Sequence, residues 1–152
     1  MKIAIGSDHA GFALKQRLKA ELEALGHSVQ DLGTHSGTES VDYPEYVIPV
    51  AERVARGEVD RGVVLCATGI GAGIAANKVA GVRAAVVTSD ETARLTRTDN
   101  DSNVLAIGGR TTANFDDAAR WLQIWLETPF AGGRHERRVK KIEAYESSHS
   151  PR

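Results

Sequence analysis

Short apolar runs alternate along the 152-residue chain with longer segments in which apolar residues recur at helical spacing. The short runs predict five strands, at Ile3–Ile5, His27–Leu32, Arg61–Cys66, Val82–Val87 and Val104–Ile107. The longer segments predict helices over Phe12–Leu25, from Pro44 onward, and over Ile70–Lys78, Asp90–Arg97, Thr112–Leu126 and Arg134–Tyr145. Alternating strands and helices imply βαβ units with right-handed crossovers. We therefore expect an α/β fold, a Rossmann-like three-layer sandwich whose five-stranded, mostly parallel sheet carries helices on both faces.

Composition and charge predict an ordinary globular protein. Hydrophobic residues make up 41% of the chain and charged residues 26%, and we expect one domain over residues 1–146. The small, polar and Pro-containing stretch 147–152 predicts a disordered tail. The formal net charge of −1 provides no general attraction to nucleic acid or to a membrane surface. No segment approaches the roughly 20 apolar residues of a membrane span. We expect a cytoplasmic protein with neither nucleic acid nor membrane as a partner.

Cys66, the only cysteine, ends the third predicted strand and begins a glycine-rich turn. Gly6–Gly11 and Gly108–Arg110 likewise follow strands, and ligands of such sheets bind beyond the carboxyl ends of the strands. A thiolate is the reactive form of cysteine, and N–H groups of the turn could hold a negative oxygen. The glycine spacing does not match a dinucleotide-binding turn. Position alone leaves a second interpretation open, in which Cys66 is a small buried hydrophobe.

Two groups of residues could bind an anion. Arg134 and Arg138 are four apart on one face of the last predicted helix, and Arg110 could join them around a phosphate. The alternative is a solvated basic face. Asp8-His9 follows the first strand, where His9 could donate to phosphate or act as an acid or base. The alternative there is that Asp8 caps the first helix and His9 is merely exposed.

Seven segments in chain order have a recognisable pattern: Gly6–Gly11, Asp42–Pro44, Cys66–Gly71, Ala75–Lys78, Gly81–Ala84, Asn100–Arg110 and Gly132–His135. Through them the chain resembles, over about residues 1–145, the type B ribose-5-phosphate isomerase family, which includes the galactose-6-phosphate isomerase subunits. The resemblance implies a sugar-phosphate substrate and no metal or organic cofactor. It also implies a homodimer or homotetramer with active sites at the subunit interface.

The resemblance also implies roles for individual residues. Cys66 would be the base that moves a proton between adjacent carbons through an enediolate, and Thr68 would pass protons between the sugar oxygens. The oxyanion would be held by backbone N–H groups of the turn, at Ala67, Gly69, Ile70 and Gly71. Phosphate-binding positions correspond to His9, Arg110, Arg134 and Arg138. Further substrate-binding positions are Asp8, Tyr43, Asn100 and His135.

The sequence departs from the family pattern at two positions. Asp99 stands where the family carries a histidine credited with opening the sugar ring, and Ala67 replaces a glycine. Three hypotheses follow: Asp99 or a nearby group such as His135 opens the ring, the substrate needs no opening, or a related second subunit is required.

We expect an aldose–ketose isomerase of ribose 5-phosphate and ribulose 5-phosphate. The alternatives are an isomerase of a tetrulose, allose or galactose phosphate, and a non-catalytic module that binds a sugar phosphate.

Overall fold

Five parallel strands form one sheet in the order β2-β1-β3-β5-β4. The structure is a computed structural model that describes residues 1–149. Its strands are β1 (Lys2–Ser7), β2 (Ser28–Asp31), β3 (Arg61–Cys66), β4 (Ala84–Val86) and β5 (Val104–Gly108). Its helices are α1 (Phe12–Ala24), α2 (Pro44–Ala55), α3 (Ile70–Ala76), α4 (Asp90–Thr98), α5 (Phe115–Glu127) and α6 (Arg134–His149). The predicted five-stranded α/β sandwich is confirmed, and the sheet is entirely parallel.

The side chains of the central strands alternate between two apolar layers, because successive residues of a strand point to opposite faces. On one face, Ile5 and Leu65 pack with α1 and with α5, whose Trp125 is fully buried. On the other face, Ala4 and Val64 pack with the apolar sides of α2 and α3. Because helices cover both faces, the ends of the strands are the accessible parts of the sheet. We call these the carboxyl edge and the amino edge.

The last helix lies against this core with very little of its own surface. Of the 16 residues of α6, only Val139 is buried, whereas Ile142 and Tyr145 are 55% and 67% exposed. Arg83, just before β4, forms an ion pair of 3.2 Å with Glu143 on α6. The helix therefore presents an apolar stripe that its own protomer does not cover.

Local side-chain bonds lie where elements differ from the predicted bounds. Strand β4 is shorter than predicted, and the Asn77 side chain bonds both backbone groups of its first residue, Ala84. Helix α5 begins later than predicted because Asn114 caps it, its Oδ1 accepting from Asp116 N–H over 2.9 Å.

The chain end also differs from the prediction. Residues 147–149, which were expected to be disordered, continue α6, where Tyr145 and His149 stack with ring centroids 4.0 Å apart. The rest of the predicted tail, 150–152, lies outside the described residues. Within residues 1–149, no helix combines the length and apolar character of a membrane span.

Candidate active site

The topology divides the predicted site residues between opposite edges of the sheet. Cys66 is the last residue of β3, and Asp8 and Arg110 follow the carboxyl ends of β1 and β5. Asp99 and Asn100 instead precede β5, at its amino end. The residues of α6 join that second group, because the segment before the helix is bonded to the end of α4. Each edge carries part of the predicted machinery.

At the carboxyl edge, the thiol of Cys66 is held inside the turn between β3 and α3. The residue is 4% exposed, and Gly69 donates its backbone N–H to Cys66 Sγ over 3.2 Å. Gly69 has φ of 77°, a left-handed conformation that other residues adopt only with strain. A backbone N–H that donates to a cysteine sulfur can stabilise that sulfur as the negatively charged thiolate. The turn thus presents a sulfur that is both buried and hydrogen-bonded.

The neighbouring groups of the turn are available to a ligand. Ile70 donates its N–H to Thr68 Oγ1 over 3.1 Å, which orients a side chain that is exposed to solvent. Within the described residues, the N–H groups of Ala67 and Thr68 have no hydrogen-bond acceptor. The turn can therefore offer both a hydroxyl and backbone donors to an oxygen placed beside Cys66.

The loops after β1 and β5 flank this turn. Arg110 donates its N–H to the Ala67 carbonyl over 2.9 Å, which fixes the exposed arginine at this edge. Gly109 lies so close to the Ala10 carbonyl that any side chain there would clash. Asp8 is buried, and its Oδ1 accepts from Gly11 N–H over 3.0 Å, ahead of α1. The three glycine-containing segments that were expected at one edge are thus in contact.

His9 and Tyr43 complete this side of the site. Val41 donates its backbone N–H to His9 Nδ1 over 3.1 Å. The ring of Tyr43 lies over the turn, since a Cβ on Gly71 would be 2.7 Å from Tyr43 Cζ and 2.8 Å from its hydroxyl oxygen. A ligand beside Cys66 would therefore meet the ring of Tyr43.

At the amino edge, α4 and α6 bring a second group together. His135 Nε2 lies 3.5 Å from Asp99 Oδ1, and Thr98 Oγ1 donates to the same oxygen over 2.8 Å. Arg134 and Arg138 are exposed, and in the described part of the chain neither forms an ion pair with a carboxylate. Asn100 is also exposed, its carbonyl accepting from Arg83 Nε over 3.0 Å. This edge is rich in unpaired donors.

The two groups cannot meet within one protomer. Strand β5 separates them, and its five residues span four steps of about 3.3 Å, or about 13 Å. The sequence predicts that Arg110 could join Arg134 and Arg138 around a phosphate. Within one chain, strand β5 stands between the positions of Arg110 and the two α6 arginines.

Sequence reasoning missed the groups that orient the predicted side chains. Val41 acts on His9 through a backbone N–H across 32 residues, for which the sequence carries no signal. Thr98 supports Asp99 from the neighbouring position, a contact that a helix end next to a charged residue could have suggested. Among residues 1–149, no group of three or more His, Cys, Asp or Glu side chains is arranged to hold a metal ion.

Comparisons with known proteins find relatives over nearly the whole chain. The family model described as Ribose/Galactose Isomerase matches residues 3–142. The chain is 48% identical over 145 residues to ribose-5-phosphate isomerase B of Escherichia coli, covering 95% of this chain and 96% of that protein.

Two solved structures extend the likeness to three dimensions. Ribose-5-phosphate isomerase B of Clostridium thermocellum matches with a TM-score of 0.95 and 50% identity, over 99% of this chain and 100% of that one. The enzyme of Mycoplasma genitalium, with bound ribulose-5-phosphate, matches with a TM-score of 0.92 and 38% identity, over 96% of each chain. The family model covers nearly the whole sheet and both groups of site residues, and it stops before the end of α6. The chain belongs to the ribose/galactose isomerase family.

Proposed function

We propose that this chain interconverts ribose 5-phosphate and ribulose 5-phosphate, with Cys66 as the base that moves the proton. Family membership makes the chain a sugar-phosphate aldose–ketose isomerase. The choice of a five-carbon substrate is supported by the activity named for the relatives in E. coli and C. thermocellum.

The observation that carries the proposal is the hydrogen bond from Gly69 N–H to Cys66 Sγ, at the mouth of the turn. As the thiolate, Cys66 removes the proton from C2 of the open-chain aldose, and the electron pair moves onto the carbonyl oxygen O1. A proton then passes from O2 to O1, and Cys66 delivers the proton that it removed to C1, which forms the ketose. The aldose and the ketose have the same overall oxidation level, and Cys66 ends in the protonation state in which it began. The proposed reaction therefore needs no oxidant, reductant or cofactor.

The charge that develops on the sugar oxygens falls beside donors of the turn. The N–H groups of Ala67 and Thr68 adjoin Cys66 in the chain and have no acceptor within the described residues. Preorganised backbone donors of this kind stabilise an oxyanion more in the transition state than in the ground state. The Thr68 hydroxyl, already accepting from Ile70, is placed to pass a proton between O1 and O2.

The substrate phosphate is bound by donors from two protomers. His9 and Arg110 lie at the edge that holds Cys66, whereas Arg134 and Arg138 lie at the opposite edge of their own chain. A homodimer that places α6 of one chain over the turn of the other would unite them. A related second subunit could supply the same groups, and the proposal is that a second copy of this chain does so.

Two surface features support assembly. Helix α6 buries only Val139 on its own protomer. Ile70 and Ile74, one turn apart on α3, are 57% and 59% exposed, and Val86 of the edge strand lies beside α3 at Gly73. Apolar surface of this kind marks contacts between proteins. A phosphorylated substrate and a thiol base suit a reducing compartment, and we place the protein in the cytoplasm.

The decisive variant is Cys66→Ala. We expect it to lose isomerisation by a factor of about 10² or more, the range of general base catalysis, while ribose 5-phosphate still binds in calorimetry. Isomerisation at the wild-type rate would remove Cys66 from the mechanism.

The wild type should also be assayed on allose, galactose and erythrulose phosphates. A preference for one of these would replace the five-carbon substrate. Binding without turnover of any of them would make the chain a sugar-phosphate-binding module.

A further inference from the structure

Ribose 5-phosphate reaches an isomerase as a closed ring. In the furanose, C1 carries a hydroxyl and is bonded to the ring oxygen O4, so no carbonyl acidifies the proton at C2. Opening removes the proton from the C1 hydroxyl, breaks the C1–O4 bond and places a proton on O4. The step is neutral overall and requires one group that both accepts and returns a proton.

The amino edge contains a pair suited to this task. His135 Nε2 faces Asp99 Oδ1 at 3.5 Å, and Thr98 Oγ1 holds that carboxylate oxygen at 2.8 Å. The His135 side chain is only 14% exposed, whereas that of Asp99 is 39% exposed. The carboxylate is thus fixed by a neighbour, and the imidazole is fixed by the carboxylate.

The contact places Nε2, rather than Nδ1, of His135 beside the carboxylate. With Nε2–H turned toward a carboxylate, the unprotonated nitrogen of a neutral imidazole is Nδ1. In the described part of the chain, Nδ1 of His135 has no hydrogen-bond partner. A carboxylate behind an imidazole also stabilises the imidazolium that forms when Nδ1 accepts a proton. Separations of this length shorten in complexes with substrate.

The surroundings of the pair match a sugar phosphate. His135 lies next to Arg134 and three residues before Arg138, so the imidazole shares a helical face with a guanidinium proposed to bind phosphate. Asn100 directly follows Asp99 in the loop before β5. A bound phosphate would therefore bring the sugar within reach of the imidazole.

We infer that His135 opens the furanose ring as acid and base, and that Asp99 is the positioning residue that orients it. An imidazole titrates near neutral pH and serves both proton transfers, whereas an ordinary carboxylic acid titrates near 4. The inference rests on the proposed isomerase function, and the pair acts on the substrate held by the turn of the second copy.

Anomer exchange tests the opening step by itself. Interconversion of α- and β-ribofuranose 5-phosphate requires opening and reclosing but no transfer of the C2 proton. We expect the Cys66→Ala protein to accelerate this exchange, measured by ¹³C magnetisation transfer. Adding His135→Gln should lower the acceleration by about 10², and adding the exposed control Glu136→Gln should leave it unchanged.

The role of Asp99 has a spectroscopic readout. Imidazole ¹⁵N shifts should report the Nε2–H tautomer of His135 in wild type and a mixture of tautomers in Asp99→Asn, with anomer exchange reduced by about tenfold. An unchanged tautomer in Asp99→Asn would overturn the positioning role.

Turnover at high enzyme concentration separates this inference from the proposed function. The initial rate of His135→Gln on ribose 5-phosphate should level off as enzyme is added, because spontaneous opening then limits it. Its rate on ribulose 5-phosphate, which has no furanose to open, should keep rising in proportion to enzyme, and that also shows that the variant is folded. Asp99→His in the His135→Gln protein should restore proportionality.

Equal anomer exchange with and without His135, or proportional rates from both substrates in His135→Gln, would overturn the inference. Failure of the wild type to turn over ribulose 5-phosphate would overturn the isomerase function instead.

Discussion

The backbone N–H of Val41 donates to Nδ1 of His9 over 3.1 Å. Because Nδ1 is the acceptor, the proton of the neutral imidazole is on Nε2. Nε2–H is then a donor with a fixed direction, which suits an anionic oxygen and not the removal of a proton from carbon. On the proposed mechanism, this contact suits His9 to donate to the substrate phosphate rather than to act as a second base.

Variants of His9 should separate its two nitrogens. A Gln side chain can place its amide N–H near the position of Nε2, whereas Asn reaches only the position of Nδ1. We expect His9→Asn to raise KM for ribose 5-phosphate about 10- to 100-fold, from the loss of a hydrogen bond to a charged group worth about 1.5–3 kcal/mol. His9→Gln should retain most of the affinity. Equal KM values for the two variants in steady-state assays would contradict the assignment.

Mixing of inactive subunits should restore activity if two chains share each site. Cys66→Ala lacks the base, and the double variant Arg134→Ala, Arg138→Ala lacks the α6 arginines. A mixed dimer would contain one intact site and one with both defects. After refolding together in equal amounts, we expect about a quarter of wild-type activity, since about half of the dimers are mixed. A mixture no more active than its components would place the whole site in one chain. Arg137→Ala, on the same helix, is the control.

Charge placed on the exposed face of α3 should prevent assembly. Ile74 is 59% exposed beside Ile70, and burying an aspartate there without a partner is costly. We expect Ile74→Asp to be a folded monomer in sedimentation, with activity reduced at equal concentration. Leu25→Asp is the matched control, because Leu25 is 40% exposed at the end of α1, away from this face. Wild-type sedimentation of Ile74→Asp would exclude this surface from the interface.

The buried ion pair between Lys15 and Asp31 should contribute strongly to stability. Lys15 is fully buried, and its Nζ lies 2.6 Å from Asp31 Oδ1. Asp31→Asn leaves that ammonium group without its counter-charge, and we expect a loss of about 3–5 kcal/mol in urea unfolding. Asp116→Asn breaks the exposed pair with Arg17 and should cost less than about 1 kcal/mol. Similar losses in the two variants would contradict the assignment.

The same ion pair should make the free energy of unfolding depend on pH in the acid range. Burial raises the pKa of Asp31, but the hydrogen bonds from Lys15 and Gly33 N–H, with the charges of Lys15 and Lys19, bring that pKa below its ordinary value. A carboxyl whose pKa is lower in the folded state stabilises the fold above its unfolded pKa of about 3.9. That contribution is lost as pH falls through the folded value. The stability difference between wild type and Asp31→Asn should therefore be full at pH 7 and shrink below about pH 4.

The parts of the fold that the sequence predicts are those set by local physics. The apolar run Arg61–Cys66 is enough to predict β3. The helical spacing of apolar residues in α1 is likewise enough to predict that helix. Strand β4 is shorter at both ends than its apolar run predicts, and its first residue, Ala84, is bonded by the Asn77 side chain, seven residues earlier in the chain. The end of α6 was misjudged because small polar composition favours disorder, whereas Tyr145 and His149 stack across the last turn.

For the candidate site, chain order was more informative than residue type. Residues directly after strands, such as Cys66 and Arg110, were expected at one edge and are in contact through their loops. Arg134 and Arg138 resemble phosphate ligands by spacing, but the path of α6 beside the end of α4 decides which edge they reach. The backbone N–H of Val41 orients His9 from a distant part of the chain. Such a contact depends on the tertiary fold and cannot be predicted from sequence pattern.

Cys66 pairs with the last residue of β5, whereas Asp99 precedes the first, so the length of that strand separates them within a protomer. On the proposed mechanism, a solitary chain would be well folded and catalytically silent. The rate per chain would then rise with concentration until association is complete. Dilution would act on this enzyme as an inhibitor does, and any molecule that occupied the α6 stripe would switch it off without approaching the thiol.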